Sequence, residues 1–450
     1  MNRLHACWTP PRPLPGPEET VLSFLPPLDE DAFSREFKGK LLLARSESTA
    51  VRAQARALYL RLGADMGATP DSSGRTLRAD CGGDPSPWWW HPSSFKDPES
   101  DPAFGLLIAA LTVERAAAGQ ELVLHGAPGA LERVLRARAP YSSWCGAFIV
   151  LRALAARLRT AFNTLRETRA ASSVPAAPPP PGGAALFGFW DWSPSPSGKE
   201  LSDRYYKALP QELARRGVAP FWLCWLDPEG DPAARGRQWD QVLAPLAGRT
   251  DVVLLQRWLR PADIFEAFLD FRPARAYLRR RRNPAFRSLF KRGSLDLWPL
   301  FAERLLRGFF DGCLPRCELV RRASARAAAD LRPSLLASFL EHFPVARALY
   351  AGARAGLPGV RIAAIQHASY AAEKAFLFLE PAREFRGEPD GLPAPTPDVA
   401  LTMGSASREY FLSCGYPTER VLLTGSPRYD ALRTGDAASR RGDGVRVLCV

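Results

Sequence analysis

From residue 184 onward the chain repeats one motif, a short apolar run of β character followed by a helical stretch, and this rhythm restricts the fold more than any other feature. The runs are Ala185–Trp190, Phe221–Leu226, Asp251–Leu255, Arg361–Ile365, Asp398–Thr402 and Arg420–Thr424. Between them fall predicted helices at Ser202–Arg216 (closed by Gly217), Gln238–Leu246, Val345–Ala355 and Ser405–Cys414, the last with Ser405 at its cap and Gly415 just beyond its end. Ala262–Leu331 reads as mainly helical, and Ser334–Leu340 fits strand or helix equally, since a short apolar run does not decide. Strands alternating with helices imply a parallel sheet, because parallel neighbours need a crossover longer than a hairpin turn. The expected class is α/β, with a doubly wound, Rossmann-like second half.

An additional α/β module precedes it. Its first residues, to about Leu28, are Pro-rich and read as irregular. Lys40–Ala44 and Glu121–Leu124 read as strands, and Thr49–Leu62 (ending near Gly63), Ala103–Ala118 (closed by Gly119) and Ala130–Arg138 as helices. The stretch Ser172–Gly183 contains Pro178-Pro179-Pro180-Pro181-Gly182-Gly183, which suits neither a helix interior nor a central strand and reads as a semi-rigid linker. The expected division is therefore 1–171, linker 172–183, a Rossmann-like domain over 184–440, and 445–450 as the opening strand of something further. At 450 residues the chain has room for two or three domains.

Residues 147–169 form a basic, apolar helical segment in which Arg152, Arg157, Arg159 and Arg166 interrupt Phe148, Ile149, Val150, Leu151, Leu154, Leu158, Phe162 and Leu165. Two readings stand: a buried connecting helix with snorkelling arginines, or an interfacial helix lying on anionic lipid. The whole chain carries 60 Lys+Arg against 47 Asp+Glu, a net charge of +13. That excess suits solvated arginine-rich faces, or attraction to nucleotide phosphates or a membrane surface. Nucleic acid is not expected, in the absence of zinc-finger spacing or a single-strand-binding motif.

Eight cysteines are scattered, with only Cys313 and Cys317 close together and no second ligand pair for zinc, so reduced thiols and no metal are expected. No signal peptide and no run of 18 apolar residues is seen, which points to a cytoplasmic chain with peripheral contact to the inner membrane at most.

In doubly wound sheets ligands gather at the carboxyl ends of the strands. Gln366 and His367 follow Arg361–Ile365 directly. Gly425, Ser426, Pro427 and Arg428, with Asp430 close behind, follow Arg420–Thr424; Asp191 follows Trp190, and Glu341-His342 follows the apolar run before it. A histidine there can act as a base or bond a phosphate or sugar hydroxyl. Gly425 and Pro427 also suit a plain strand-to-helix turn, the first by tolerating positive φ and the second by fixing a helix entry.

Taken in order, Ile365-Gln366-His367, Pro397-Asp398-Val399-Ala400-Leu401-Thr402-Met403-Gly404 and Val421 through Asp430 resemble the end of the N-terminal domain of two-domain (GT-B) glycosyltransferases. More narrowly they resemble the bacterial surface carbohydrate biosynthesis proteins of O-antigen and capsule clusters, which carry a Gln-His-Gly turn and a Gly-(Ser/Asn)-Pro-Arg-x-Asp turn. Trp88-Trp89-Trp90 with Ser93, Ser94 and Phe104, and Phe339-Leu340-Glu341-His342-Phe343 with Arg347-Ala348-Leu349, are similar to the same group. One departure is Ala368 in place of the glycine after Gln-His. The resemblance implies transfer of a sugar from a nucleotide sugar to a lipid-linked or glycan acceptor, with His367 as base and Gln366, Glu341, Asp191, Gly425, Ser426, Arg428 and Asp430 on the substrate. No cofactor beyond the nucleotide-sugar donor is implied. It also implies that Val445–Val450 opens a donor-binding domain, so this chain by itself is expected to give no turnover. Alternatives are a nucleotide-sugar 2-epimerase-like isomerase, a non-catalytic acceptor-binding subunit, and a glycerol- or ribitol-phosphate polymerase.

Overall fold

A computed structural model describes residues 3–97, 101–136, 143–174, 179, 181–190, 205–226, 243–246, 249–339, 343–368 and 377–429. The first sheet is built from β1 (Arg3–Cys7), β2 (Thr20–Ser23), β3 (Lys40–Leu43) and β4 (Glu121–His125), in the order β3-β2-β1-β4, with every pair parallel. The second contains β5 (Ala184–Trp190), β6 (Pro220–Leu226) and β7 (Val252–Leu254). After a two-stranded hairpin of β8 (Lys291–Arg292) and β9 (Leu295–Asp296), it continues with β10 (Leu335–Phe339), β11 (Arg361–Ile365), β12 (Val399–Thr402) and β13 (Val421–Leu423). Its order is β13-β12-β11-β10-β5-β6-β7, again all parallel. The fold is α/β with parallel sheets, and this strand order is compatible with a Rossmann-like arrangement. The chain turns back between β5 and β10, so the switch point where such sheets take ligands lies between those two strands.

Tyr206 fixes that switch point. Its hydroxyl lies 2.7 Å from Phe187 O on β5 and 3.2 Å from Ala337 O on β10, and it is fully buried. Tyr206→Phe will strip both carbonyls of this donor and lower unfolding free energy by about 1–2 kcal/mol in urea titrations.

Several sequence expectations are corrected. The Pro-rich opening holds two strands, β1 and β2; they are too short to show a period, and their register comes from pairing with β3 and β4 far along the chain. The ambiguous Ser334–Leu340 run is a strand. The helix expected to end near Gly63 spans Ala44–Ala68, passing through Gly63 and Gly67. Those glycines are close-approach positions and do not end the helix: a Cβ at Gly63 would fall on the Lys96 side chain, and one at Gly67 on the Trp88 indole. Of Ser202–Arg216 the described residues form a helix at Leu209–Arg215, and of Gln238–Leu246 only a short turn at Ala244–Leu246. Ala262–Leu331 resolves into helices Pro261–Leu269, Arg272–Arg280, Pro284–Ser288, Trp298–Phe310 and Cys313–Leu331, with the hairpin inserted.

The basic segment is the middle of a longer helix, Ser143–Ser173, which runs into the expected linker. Of that linker, Gly182 N–H donates to Arg332 O and Gly183 O accepts from Ser334 N–H, which ties its last residues to the entry of β10. The remainder of the proline run, and residues 445–450, lie outside the described residues.

One core cluster extends from Val51 to Ala394 and takes in Trp88, Trp89, Trp90, Trp225, Tyr277 and Phe309. The helices before the second sheet and those after β7 thus pack into common apolar material. Buried polar groups join the same parts. The Arg78 guanidinium donates to Arg383 O, Gly387 O and Glu388 O and pairs with Asp390 at 2.7 Å. Lys96, held in a left-handed conformation (φ 53°) after the short helix Pro92–Phe95, pairs with Glu384, both fully buried. Among the described residues no helix is long and apolar enough to cross a membrane.

Candidate functional site

The carboxyl ends of β10, β11, β12 and β13 converge on Gln366 and His367. Gln366 is fully buried and spends its side chain inside the protein. Its Nε2 donates to Ala368 O (2.9 Å) and Ser407 Oγ (3.1 Å), and its Oε1 accepts from Met403 N–H (2.9 Å). Its backbone N–H continues the ladder to Leu401 O. This residue therefore buttresses the turns after β11 and β12. Its amide is thus engaged with protein groups on both sides.

His367 follows on a largely buried ring set among aromatics. Tyr205 meets it edge-on at 4.7 Å between centroids and Phe339 at 5.5 Å, while Tyr205 and Phe339 meet edge-on at 4.6 Å. Tyr205 comes from the segment after β5 and Phe339 from the last position of β10, so the switch point supplies both walls. From the far side the turn after β13 supplies Arg428. Its Nη1 donates to His367 O (3.1 Å), and its guanidinium lies 5.5 Å from the centre of the Tyr205 ring. Among the described residues no carboxylate pairs with Arg428, which leaves a half-buried cation beside an imidazole and a phenol ring.

Gly425 opens the turn with φ 85°, a conformation that a side chain resists, and its N–H donates to Thr402 O. Ser426 Oγ reaches Gln366 O at 3.5 Å, the outer limit of a hydrogen bond, and serves the turn. Thus Gln366, His367, Gly425, Ser426 and Arg428 come together as the sequence suggests. Asp191, Glu341, His342 and Asp430 lie outside the described residues. Sequence reasoning missed Tyr205 and named Phe339 only within the Phe339–Phe343 stretch, with no place at the site; the adjacent Tyr205-Tyr206 pair in the segment after a strand was the available signal.

Among the described residues no group of three potential ligands can hold a metal ion. Six described cysteines are free, and the half-buried Cys313 thiol, hydrogen-bonded to the Cys317 thiol one turn on, is pushed well above the ordinary range by that contact and by desolvation, so it stays protonated. A separate cleft of about 210 Å³ is lined by Asp84, Trp90, Arg157, Arg272, Arg321 and Arg322 among others. Its cations are largely consumed by partners: Arg272 by Asp270, and Arg321 and Arg322 by Glu318. The strand-end group, with an imidazole and a cation that pairs with no carboxylate among the described residues, is the better chemical candidate. The chain matches no protein-family model, no curated protein and no solved structure, so the reading of this site rests on its own geometry.

Proposed function

We propose that the chain is the acceptor-side portion of a GT-B-type glycosyltransferase of surface polysaccharide biosynthesis, moving a sugar from a nucleotide sugar to a lipid-linked or glycan acceptor. The observation that carries this reading is the meeting of His367, Tyr205, Phe339 and Arg428 beside the switch point of a parallel sheet. Aromatic faces suit the apolar face of a pyranose, and a guanidinium suits a phosphate oxygen. In the transfer, the His367 imidazole takes the proton from an acceptor hydroxyl as that oxygen bonds to the anomeric carbon. The nucleoside diphosphate then leaves with the electron pair of the broken glycosyl–oxygen bond.

The test is ligand binding to the purified full chain by calorimetry and saturation-transfer NMR, using a polyprenyl-diphosphate-linked glycan in detergent and a panel of nucleotide sugars. The glycan is expected to bind, and Arg428→Ala to weaken it about tenfold, equivalent to about 1.4 kcal/mol. His367→Ala should leave that binding within about threefold while abolishing transfer wherever transfer is measured. Absence of binding by both the glycan and every nucleotide sugar would sink the reading.

A further inference from the structure

The helix Ser143–Ser173 has two unlike faces. One is buried by the rest of the molecule: Ile149, Ala153, Arg157, Thr164, Glu167, Thr168 and Ala171 all point inward. Arg157 anchors it, donating to Ala267 O, Phe268 O and Asp270 O at the carboxyl end of helix Pro261–Leu269, with its guanidinium 4.3 Å from the Phe271 ring. It thereby satisfies carbonyls that a helix end leaves without intrahelical donors.

The opposite face is apolar and open. Phe148, Leu151, Leu158 and Phe162 are 60–73% exposed, and Ala155 lies among them. Their spacing of three and four residues stacks them in a single stripe over four turns. Helix Pro261–Leu269, packed against this helix, carries an exposed apolar pair of its own, Phe265 and Leu269, at 60% and 71%. Every exposed charge on the described part of Ser143–Ser173 is an arginine: Arg152 and Arg159 along one edge of the stripe, Arg166 and Arg169 toward its end. The one acid in the helix, Glu167, faces inward; on the neighbouring helix the exposed Glu266 is held by Arg322 at 2.7 Å.

We infer that this face docks on an anionic lipid bilayer, with the stripe entering the headgroup region and the arginines bonding lipid phosphates. The charge pattern selects this occupant. A protein partner or a second copy would meet an apolar stripe bordered by one sign of charge, on a chain whose net charge is +13, so two copies would repel. A bilayer with anionic lipid supplies apolar depth and negative charge together. The helix is held from behind by Arg157, so docking requires no refolding. This inference stands whatever ligand the second sheet takes.

The test is co-sedimentation of the full chain with vesicles of phosphatidylcholine alone and of phosphatidylcholine mixed with phosphatidylglycerol. The chain should pellet with the mixed vesicles, stay in solution with the neutral ones, and be released by salt. Arg152→Gln with Arg159→Gln should lower the partition on anionic vesicles by roughly 25-fold, about fivefold for each basic residue near the surface. Leu158→Ser with Phe162→Ser, both at exposed positions, should lower it at least about tenfold with the thermal midpoint unchanged. Equal recovery on both vesicle types, or no response to either double variant, would overturn the inference. So would a dimer in size-exclusion chromatography that the Leu158/Phe162 pair abolishes, since a second copy would then cover the stripe.

Discussion

Lys96→Met will lower the free energy of unfolding by about 3–5 kcal/mol, a large share of the 5–15 kcal/mol typical of a folded domain. The reason is the partner left behind. Glu384 is fully buried, and among the described residues its other hydrogen bond comes from the Glu380 N–H at 2.7 Å. Burial pushes the Lys96 ammonium down from its ordinary range while Glu384 pulls it back; once the ammonium is gone, the carboxylate must remain charged without its contacting counter-ion, with only the more distant field of Arg347 and Arg78, or take up a proton. Adding Glu384→Gln keeps the acceptor for Glu380 N–H and removes the stranded charge. The double variant should recover to within about 2 kcal/mol of the parent in urea titrations. Were the double variant as unstable as the single one, lost packing of the lysine stem against the Ala44–Ala68 helix and not charge would be responsible.

A second large effect appears on acidification. His91 is fully buried between Trp88 and Phe309, with ring centroids at 5.3 and 4.3 Å. Its Nδ1 accepts from Ser93 N–H (3.1 Å) and its Nε2 lies 3.2 Å from Leu305 O, so the neutral ring with its proton on Nε2 satisfies both sides. A second proton on Nδ1 would point at the Ser93 N–H. Burial accordingly lowers this imidazole to about 3 in the folded chain, against an ordinary value of 6.5. Below pH 6.5 the unfolded chain binds one more proton at this residue. Its stabilising contribution is therefore complete above that pH and falls on acidification toward pH 3, by about 4–5 kcal/mol in all.

Asp311 works in the opposite direction. Burial raises it from 3.8 to about 6, so from pH 6 down to 3.8 the folded chain holds the extra proton and gains stability. The two groups offset each other across that window, so the parent curve should be shallow there. Asp311→Asn, which keeps an acceptor for Cys313 N–H (now 2.9 Å), should raise stability at pH 8 by about 2 kcal/mol and steepen the loss on acidification. His91→Gln should flatten the curve in the Asp311→Asn background, and in the parent it should leave stability rising as pH falls from 6 to 3.8. An Asp311→Asn curve that stays level between pH 6.5 and 4.5 would count against the account of His91.

The parts legible in the sequence are those whose signal is local. β5, β6, β11 and β12 are apolar runs bounded by turns, and the rule that ligands collect at strand ends picks out His367 and Arg428 without coordinates. β1 and β2 were hidden because short parallel strands draw their stability from partners distant in sequence. The meeting of Tyr205 with Phe339 was hidden because it depends on β5 and β10 lying side by side. Gln366 looks like a ligand-binding residue in the sequence, and only the positions of Ser407 and Met403 reveal a buttress. Arg157 reads like its fellow arginines in the basic segment; its inward turn follows from the helix end it meets. Gly63 shows the converse error, since a glycine read as a stop is there to let Lys96 pass.

The strand order also bears on how the chain matures on the ribosome. β5 is an inner strand of its sheet, yet its second neighbour β10 leaves the ribosome roughly 145 residues later. At about 5–20 residues per second the wait is of the order of ten to thirty seconds, during which one side of an apolar strand has no partner. β1 waits in the same way for β4. The nascent chain therefore presents unpaired strand edges twice, and each is a place where a chaperone, or another nascent copy, competes with the native neighbour.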